Sequence, residues 1–233
     1  MGPDASATKD VEDADARLAG RLDRLCDDGW ALWEQFDGTV RAPTGGRSGR
    51  ATFHPFVAAD YAAVRAALLP LRRPGRRCLE WGSATGVITV MADLMGFEAC
   101  GIELDPSLVA AARALAARHE SAARFAVGSF LPTGYTWRAP DGDRRTGTIG
   151  EGPSGYLQLG RALDDFDVVF GYPWGGEEAL MHDLMRRYGR PDALLLLYDA
   201  SEGVCAYRGG RAVRPPAGPL TGNPLSAPAA DPG

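Results

Sequence analysis

Three groups of residues in this chain have types and spacings that suit chemistry. The first is the run CLEWGSATG, Cys78 to Gly86. An apolar pair ends in an acid, Glu80, and a turn follows in which Gly82 and Gly86 flank Ser83, Ala84 and Thr85. Glycine lets a ligand approach the backbone and tolerates a positive φ. An apolar run, Val87 to Met95, comes next. Strand, Gly-rich turn and helix in that order open a nucleotide-binding α/β unit. The spacing is acid-x-Gly-x-x-x-Gly. It has neither the Gly-x-Gly pair that seats a pyrophosphate nor the Lys and Ser/Thr of a phosphate-binding P-loop. The second group is the acid pair Glu103 and Asp105, at the end of EACGIELD. In such folds an acid roughly 20 residues past the glycines takes the hydroxyls of a ribose. The third is Gly171-Tyr172-Pro173-Trp174, with Glu177 following. Its proline stiffens a turn, its aromatic faces can wall a pocket or hold a cation, and Glu177 is the first choice for a general base, ahead of Tyr172 and His54.

These groups need a scaffold that brings them to one edge. Helical and strand patterns alternate from residue 53 onward, which predicts a doubly wound, mainly parallel sheet with helices on both faces. Val11 to Phe36 carries Leu18, Leu22, Leu25, Trp30, Leu32, Trp33 and Phe36 at near-helical spacing, a helix with a possible break at Gly29. A Gly/Arg-rich loop, Arg41 to Ala51, separates it from a second helix whose stripe is Phe56, Tyr61, Val64, Ala67 and Leu68 and whose first turn holds Pro55. Asp105 reads as an N-cap with Pro106 at the first helical position, and Gly96 as a C-cap. Ala123 to Ser129, Phe166 to Tyr172, Asp192 to Tyr198 and Val204 to Arg208 read as further strands, and Ser154 to Leu163 as a helix. The segment 131–153 is long enough for a lid at the ligand edge.

LEWGSATG followed by GIELDP resembles the class I S-adenosylmethionine-dependent methyltransferases over about Phe53 to Arg208. The resemblance implies a Rossmann-like fold and S-adenosyl-L-methionine as cofactor. It would place Glu80, Trp81, Gly82, Ser83 and Gly86 along the methionine part, and Glu103 and Leu104 at the ribose. Where this family commonly carries Asp beside the adenine, the chain has Gly128-Ser129-Phe130, so Ser129 would supply a neutral hydrogen bond and Phe130 a stacking face. Gly171-Tyr172-Pro173-Trp174 is similar to the Asp/Asn-Pro-Pro-aromatic motif of amino-group methyltransferases, with Gly171 in place of the polar residue. Tyr172, Pro173, Trp174 and Glu177 are therefore the expected catalytic side, and an N6-adenine or amide acceptor is disfavoured. The family's final antiparallel hairpin is expected to be truncated.

Composition narrows the partners. The 233 residues allow one ordinary domain with a real core, and the formal charge is -5 with a pI of about 5.3. An acidic balance argues against sequence-blind nucleic-acid binding, which draws on many phosphate contacts, although LRRPGRR at 71–77 puts four arginines together. The cysteines, Cys26, Cys78, Cys100 and Cys205, form no Cys-x-x-Cys pair; they read as reduced thiols of a cytoplasmic protein, with no metal site. No apolar run approaches the roughly 18 residues of a membrane span. The organisation expected is an N-terminal helical extension and loop at 1–52, a cofactor-binding domain at 53–210, and a disordered Pro/Gly-rich tail at 211–233. The leading functional expectation is methyl transfer to a small molecule; the alternative is a non-catalytic S-adenosylmethionine-binding partner protein. A nicotinamide dehydrogenase fits poorly because the glycine spacing is wrong.

Overall fold

A computed structural model describes residues 5–36, 57–136, 152–173 and 177–214. One mixed sheet organises them. Its strands are β1 (Arg77–Trp81), β2 (Glu98–Glu103), β3 (Arg124–Val127), β4 (Val168–Gly171), β5 (Leu194–Asp199), β6 (Gly203–Arg208) and β7 (Arg211–Val213). They lie in the order β3-β2-β1-β4-β5-β6-β7. The first five are parallel, and β6 and β7 are antiparallel additions. The order reverses between β1 and β4, and in open α/β sheets ligands bind at the carboxyl ends of the strands flanking such a reversal. Trp81 pairs with Gly171 there, so the residues after β1 and the residues after β4 leave the sheet side by side.

The helices are α1 (Ala5–Phe36), α2 (Tyr61–Leu68), α3 (Val87–Leu94), α4 (Pro106–Arg118), α5 (Gly155–Leu159) and α6 (Glu177–Tyr188). Side chains alternate across each strand, which divides the core in two. Cys78, Val168, Phe170, Leu194 and Leu196 face α1–α4 together with Leu22, Leu25, Val64, Val90 and Met91. Leu79, Trp81, Val169, Leu195 and Leu197 face α5 and α6 with Phe130, Tyr156, Leu180 and Met181.

Several element boundaries differ from the sequence expectation. The first helix begins at Ala5 and runs unbroken through Gly29, where an added Cβ would lie 2.8 Å from Val87 and 3.1 Å from Tyr61. Gly29 is there for close packing. α2 starts at Tyr61 because Asp60 caps it, accepting from the amides of Ala62 and Ala63 at 2.8 and 3.2 Å. α5 stops at Gly160, whose φ of 63° ends the helix short of Leu163. The last of the described residues form a short hairpin, β6–β7, so the sheet extends past residue 210. Residues Phe53, His54 and Phe56, the loop 41–51, most of 131–153, Trp174 and the tail from 215 lie outside the described residues.

Polar contacts fix α1 on the domain. Arg65 meets Asp23 at 2.7 Å, His119 meets Asp28 at 2.8 Å, and Arg21 donates to the His119 carbonyl at 2.9 Å.

Candidate cofactor site at the carboxyl edge

The turn after β1 is over-determined. The Ser83 amide donates to the Ile102 carbonyl at 3.0 Å, the Gly86 amide donates to Ser83 at 2.7 Å, and the Ala84 amide donates to Glu103 Oε2 at 3.0 Å. Those bonds hold Ala84, a residue with a Cβ, at φ 44°, in the left-handed region. Such strain persists only where the surroundings impose it, and it concentrates at functional sites. Gly86 is required on two counts: its φ is 78°, and an added Cβ would stand 2.7 Å from Ala112 and from the Phe125 ring. Gly82 is also left-handed, at φ 67°.

Glu103 ends β2 and faces this turn. Its Oε2 accepts from Ala84 and its Oε1 from the Asp105 amide at 2.9 Å. A carboxylate has about four lone-pair sites, and with the Leu104 amide also donating to it, capacity for one further donor remains. Burial pushes the Glu103 carboxyl above its ordinary value, and the backbone donors of Asp105 and Ala84 oppose that. Asp105 does what its position predicts: it caps α4, accepting from the Ser107 amide at 2.7 Å.

Glu80 lies on the α3 side of β1 and is 5% exposed. One carboxylate oxygen accepts from the Thr89 amide at 2.8 Å and also from the Thr89 hydroxyl. Its pKa is pushed up to about 8 by burial, against the pull of Thr89 and reinforced by the nearby Glu103 charge. Glu80 thus straps the strand to the helix beneath the turn. Ser83 and Thr85, 2% and 1% exposed, have hydroxyls with no hydrogen-bond partner. Buried hydroxyls in that condition are uncommon and call for an explanation.

Trp81 and Phe130 are brought together, but away from the surface. Period-2 alternation sends Trp81 to the α5–α6 face, where its ring stacks on Phe130 at 5.3 Å and its Nε1 donates to the Tyr156 hydroxyl at 2.8 Å. Both are 1% exposed. They form a buried layer behind the edge, with no open aromatic face. Ser129 is pinned between segments: its amide donates to Pro153 at 2.9 Å, its carbonyl accepts from Gly155 at 2.8 Å, and its Oγ accepts from the Leu131 amide at 3.1 Å. The hydroxyl proton of Ser129 is still a donor. Leu104 is half-buried and packs beside Gly152.

After β4, Gly171 has no room for a side chain: an added Cβ would lie 2.8 Å from Met181 Sδ and 3.5 Å from the Trp81 ring. The missing polar residue of the resembled motif therefore has a packing cause, since this position faces α6. Tyr172 and Pro173 are half-buried at the edge, and Tyr172 meets Tyr198 edge-to-face at 4.9 Å. Burial, with Tyr198 and Asp199 nearby, raises the Tyr172 pKa. Glu177 is buried in the first turn of α6, where an acid suits the helix pole.

Sequence reasoning did not single out Ala84, Thr85 or Thr89 as site residues. Ala84 and Thr85 are signalled only by lying inside the turn, and Thr89 by falling nine positions after Glu80, in the first turn of the helix. A cleft of about 690 Å³ lies elsewhere, between α5 and the end of α6, lined by Ser154, Tyr156, Leu157, Arg161, Arg187 and Tyr188 among others; it contains none of the expected site residues. Among the described residues no cluster of His, Cys, Asp and Glu could hold a metal, and no helix is long and apolar enough to cross a membrane.

No family model matches the sequence, and comparison with curated proteins gives no match. Solved structures do resemble it. A precorrin-6Y C5,15-methyltransferase from Geobacter metallireducens is 16% identical, covering 59% of this chain and 63% of that one at a TM-score of 0.40. An RNA methyltransferase from Salinibacter ruber, in complex with S-adenosyl-L-homocysteine, is 17% identical, covering 62% and 78% at 0.42. A SAM-dependent methyltransferase from Thiobacillus denitrificans, also with S-adenosyl-L-homocysteine, is 21% identical, covering 58% and 46% at 0.38. The match spans less than two thirds of the Geobacter and Thiobacillus chains.

Proposed function

We propose that this protein binds S-adenosyl-L-methionine at the carboxyl edge between β1 and β4 and transfers its methyl group to a small-molecule acceptor. The observation that carries the reading is the strained, Glu103-pinned turn of residues 82–86 at the reversal of strand order, beside Tyr172 and Pro173. The residues present fit the cofactor. Orphaned hydroxyls on Ser83 and Thr85 suit its polar amino-acid end, and Glu103 has a lone pair left for a ribose hydroxyl. Gly82 and Gly86 supply the left-handed backbone that shapes the turn facing it. Leu104 flanks the ribose and adenine, the Ser129 hydroxyl reads the adenine edge, and Trp81 with Phe130 stiffens the layer behind.

When bound, the cofactor supplies a methyl group already activated on a positively charged sulfur. The protein's work is then alignment and exclusion of water. Tyr172, Pro173 and Trp174 bound the acceptor side, and Glu177 is the first candidate to take a proton from a hydroxyl acceptor. A small acceptor is favoured over RNA by the fate of the arginine cluster. Arg72 pairs with Asp15 at 3.4 Å, Arg77 with Glu98 at 3.2 Å, and Arg76 donates to the Leu71 carbonyl at 2.9 Å. Those three are engaged within the fold, and all four arginines, Arg73 included, precede or open β1 at the sheet's amino edge, opposite the candidate site.

The test is to incubate the protein with methyl-labelled S-adenosylmethionine and a bacterial extract separated into metabolite, RNA and protein fractions. Label is expected in the metabolite fraction. Label in RNA would overturn the acceptor class. Cofactor binding without label in any fraction would favour the non-catalytic binding protein.

A further inference from the structure

The mechanism above leaves two buried hydroxyls without a task, those of Ser154 and Tyr61. Tyr61, the first residue of α2, is 4% exposed and its hydroxyl has no hydrogen-bond partner. An unsatisfied buried hydroxyl is costly, and a chain that retains one needs a reason. Its surroundings give the place. The Tyr61 ring and Val87, the first residue of α3, both press on α1 at Gly29, at 3.1 and 2.8 Å from where a Cβ would stand. Tyr61 therefore sits beside the N-terminus of α3, directly after Gly86. The Glu80 charge reaches it too, since it helps burial in raising the tyrosine pKa. The phenol stays protonated at neutral pH and is a donor.

Resting on the reading that S-adenosylmethionine occupies this edge, we infer that Tyr61 completes the subsite for the cofactor's amino-acid end, donating to its carboxylate. The chemistry is consistent on both sides. The α3 N-terminus is the positive end of a helix dipole and presents the amides of Val87 and Ile88, that of Thr89 being taken by Glu80. A carboxylate there gains a neutral donor from Tyr61, and the hydroxyls of Ser83 and Thr85 lie in the same turn. Trp30, 40% exposed, packs on the Tyr61 ring with centroids 5.0 Å apart, and the inference requires this side chain to shift to admit the ligand. The N-terminal helices are then part of the binding site, contributing to it through one hydroxyl.

Tyr61→Phe tests this with three probes: S-adenosylhomocysteine, S-adenosylmethionine and 5′-methylthioadenosine, which keeps the adenosine and lacks the amino-acid end. The variant is expected to melt at or above the wild-type temperature without ligand, because it loses an unsatisfied group. Its affinity for the first two should fall roughly 10- to 150-fold, the range for one hydrogen bond to a charged group. Its affinity for 5′-methylthioadenosine should stay within twofold. Unchanged affinity for S-adenosylhomocysteine, an equal loss with 5′-methylthioadenosine, or a lower melting temperature in the variant would each overturn the inference while leaving the cofactor assignment standing. Failure of the wild-type protein to bind S-adenosylhomocysteine would remove the assignment itself, and the inference with it.

Discussion

Replacing Glu80 by Gln isolates the energetic consequence of burying an acid under the turn. In the folded protein this carboxyl titrates at about 8, against an ordinary 4.5. The folded state therefore holds a proton that the unfolded chain has already released. Between those two values the unfolded state binds fewer protons, so unfolding becomes easier as pH rises. The stabilisation is whole below about pH 4.5, is lost progressively up to about pH 8, and changes little beyond. Each pH unit inside that window is worth roughly 1.4 kcal/mol. Glu80 is 5% exposed, so solvent screening does little to reduce this. Across the window the loss is on the order of several kcal/mol, a large part of the roughly 5–15 kcal/mol that holds a domain together. Gln mimics the protonated acid: its carbonyl oxygen accepts from the Thr89 amide and hydroxyl, and it cannot ionise. Urea unfolding at pH 5, 6.5 and 8 should show the difference between Glu80→Gln and wild type shifting in favour of the variant by roughly 1.4 kcal/mol per unit. A constant offset from the amide's own hydrogen bonds does not affect that slope. Parallel stability curves for the two proteins would refute the reasoning.

Two further outcomes follow from the site. Gly86→Ala must hold a Cβ at φ 78° and within 2.7 Å of Ala112 and Phe125; it should lose about 2–4 kcal/mol, the sum of backbone strain and overpacking, and a thermal midpoint within 2 °C or so of wild type would show that the neighbours yield. Trp174→Ala should leave S-adenosylhomocysteine affinity nearly intact and abolish methyl transfer to the acceptor, if it bounds the acceptor side; a parallel loss of cofactor affinity in calorimetry would put it on the wrong side of the pocket.

Much of the scaffold was legible because its signals are local. The acid-x-Gly-x-x-x-Gly turn, the Asp105–Pro106 helix start and the apolar run Leu194–Tyr198 each encode their own geometry, and the mainly parallel, doubly wound sheet follows from alternation of strand and helix. What escaped depends on contacts distant in sequence. Gly29 looks like a helix breaker until α3 and Tyr61 are seen pressed against it. Trp81 looks like a ligand contact because it adjoins Gly82, but alternation along β1 turns it to the opposite face, into Phe130 and Tyr156. Phe130 follows it there. Gly171 looks like a lost catalytic residue until Met181 is found occupying the space. Tyr61 was read as one member of an apolar stripe; no sequence pattern reports that a hydroxyl lacks a partner.

The central claim is that the edge between β1 and β4 is a cofactor site with Glu103 at the ribose. Calorimetric titration of wild type and Glu103→Ala with S-adenosylhomocysteine tests it directly. The wild-type protein should bind at one site per chain. The variant should lose at least tenfold in affinity, since hydrogen bonds to a charged group contribute roughly 1.5–3 kcal/mol each, while its far-ultraviolet circular dichroism stays that of the wild type. An unchanged dissociation constant in the folded variant, or no heat of binding in the wild type, would contradict the account.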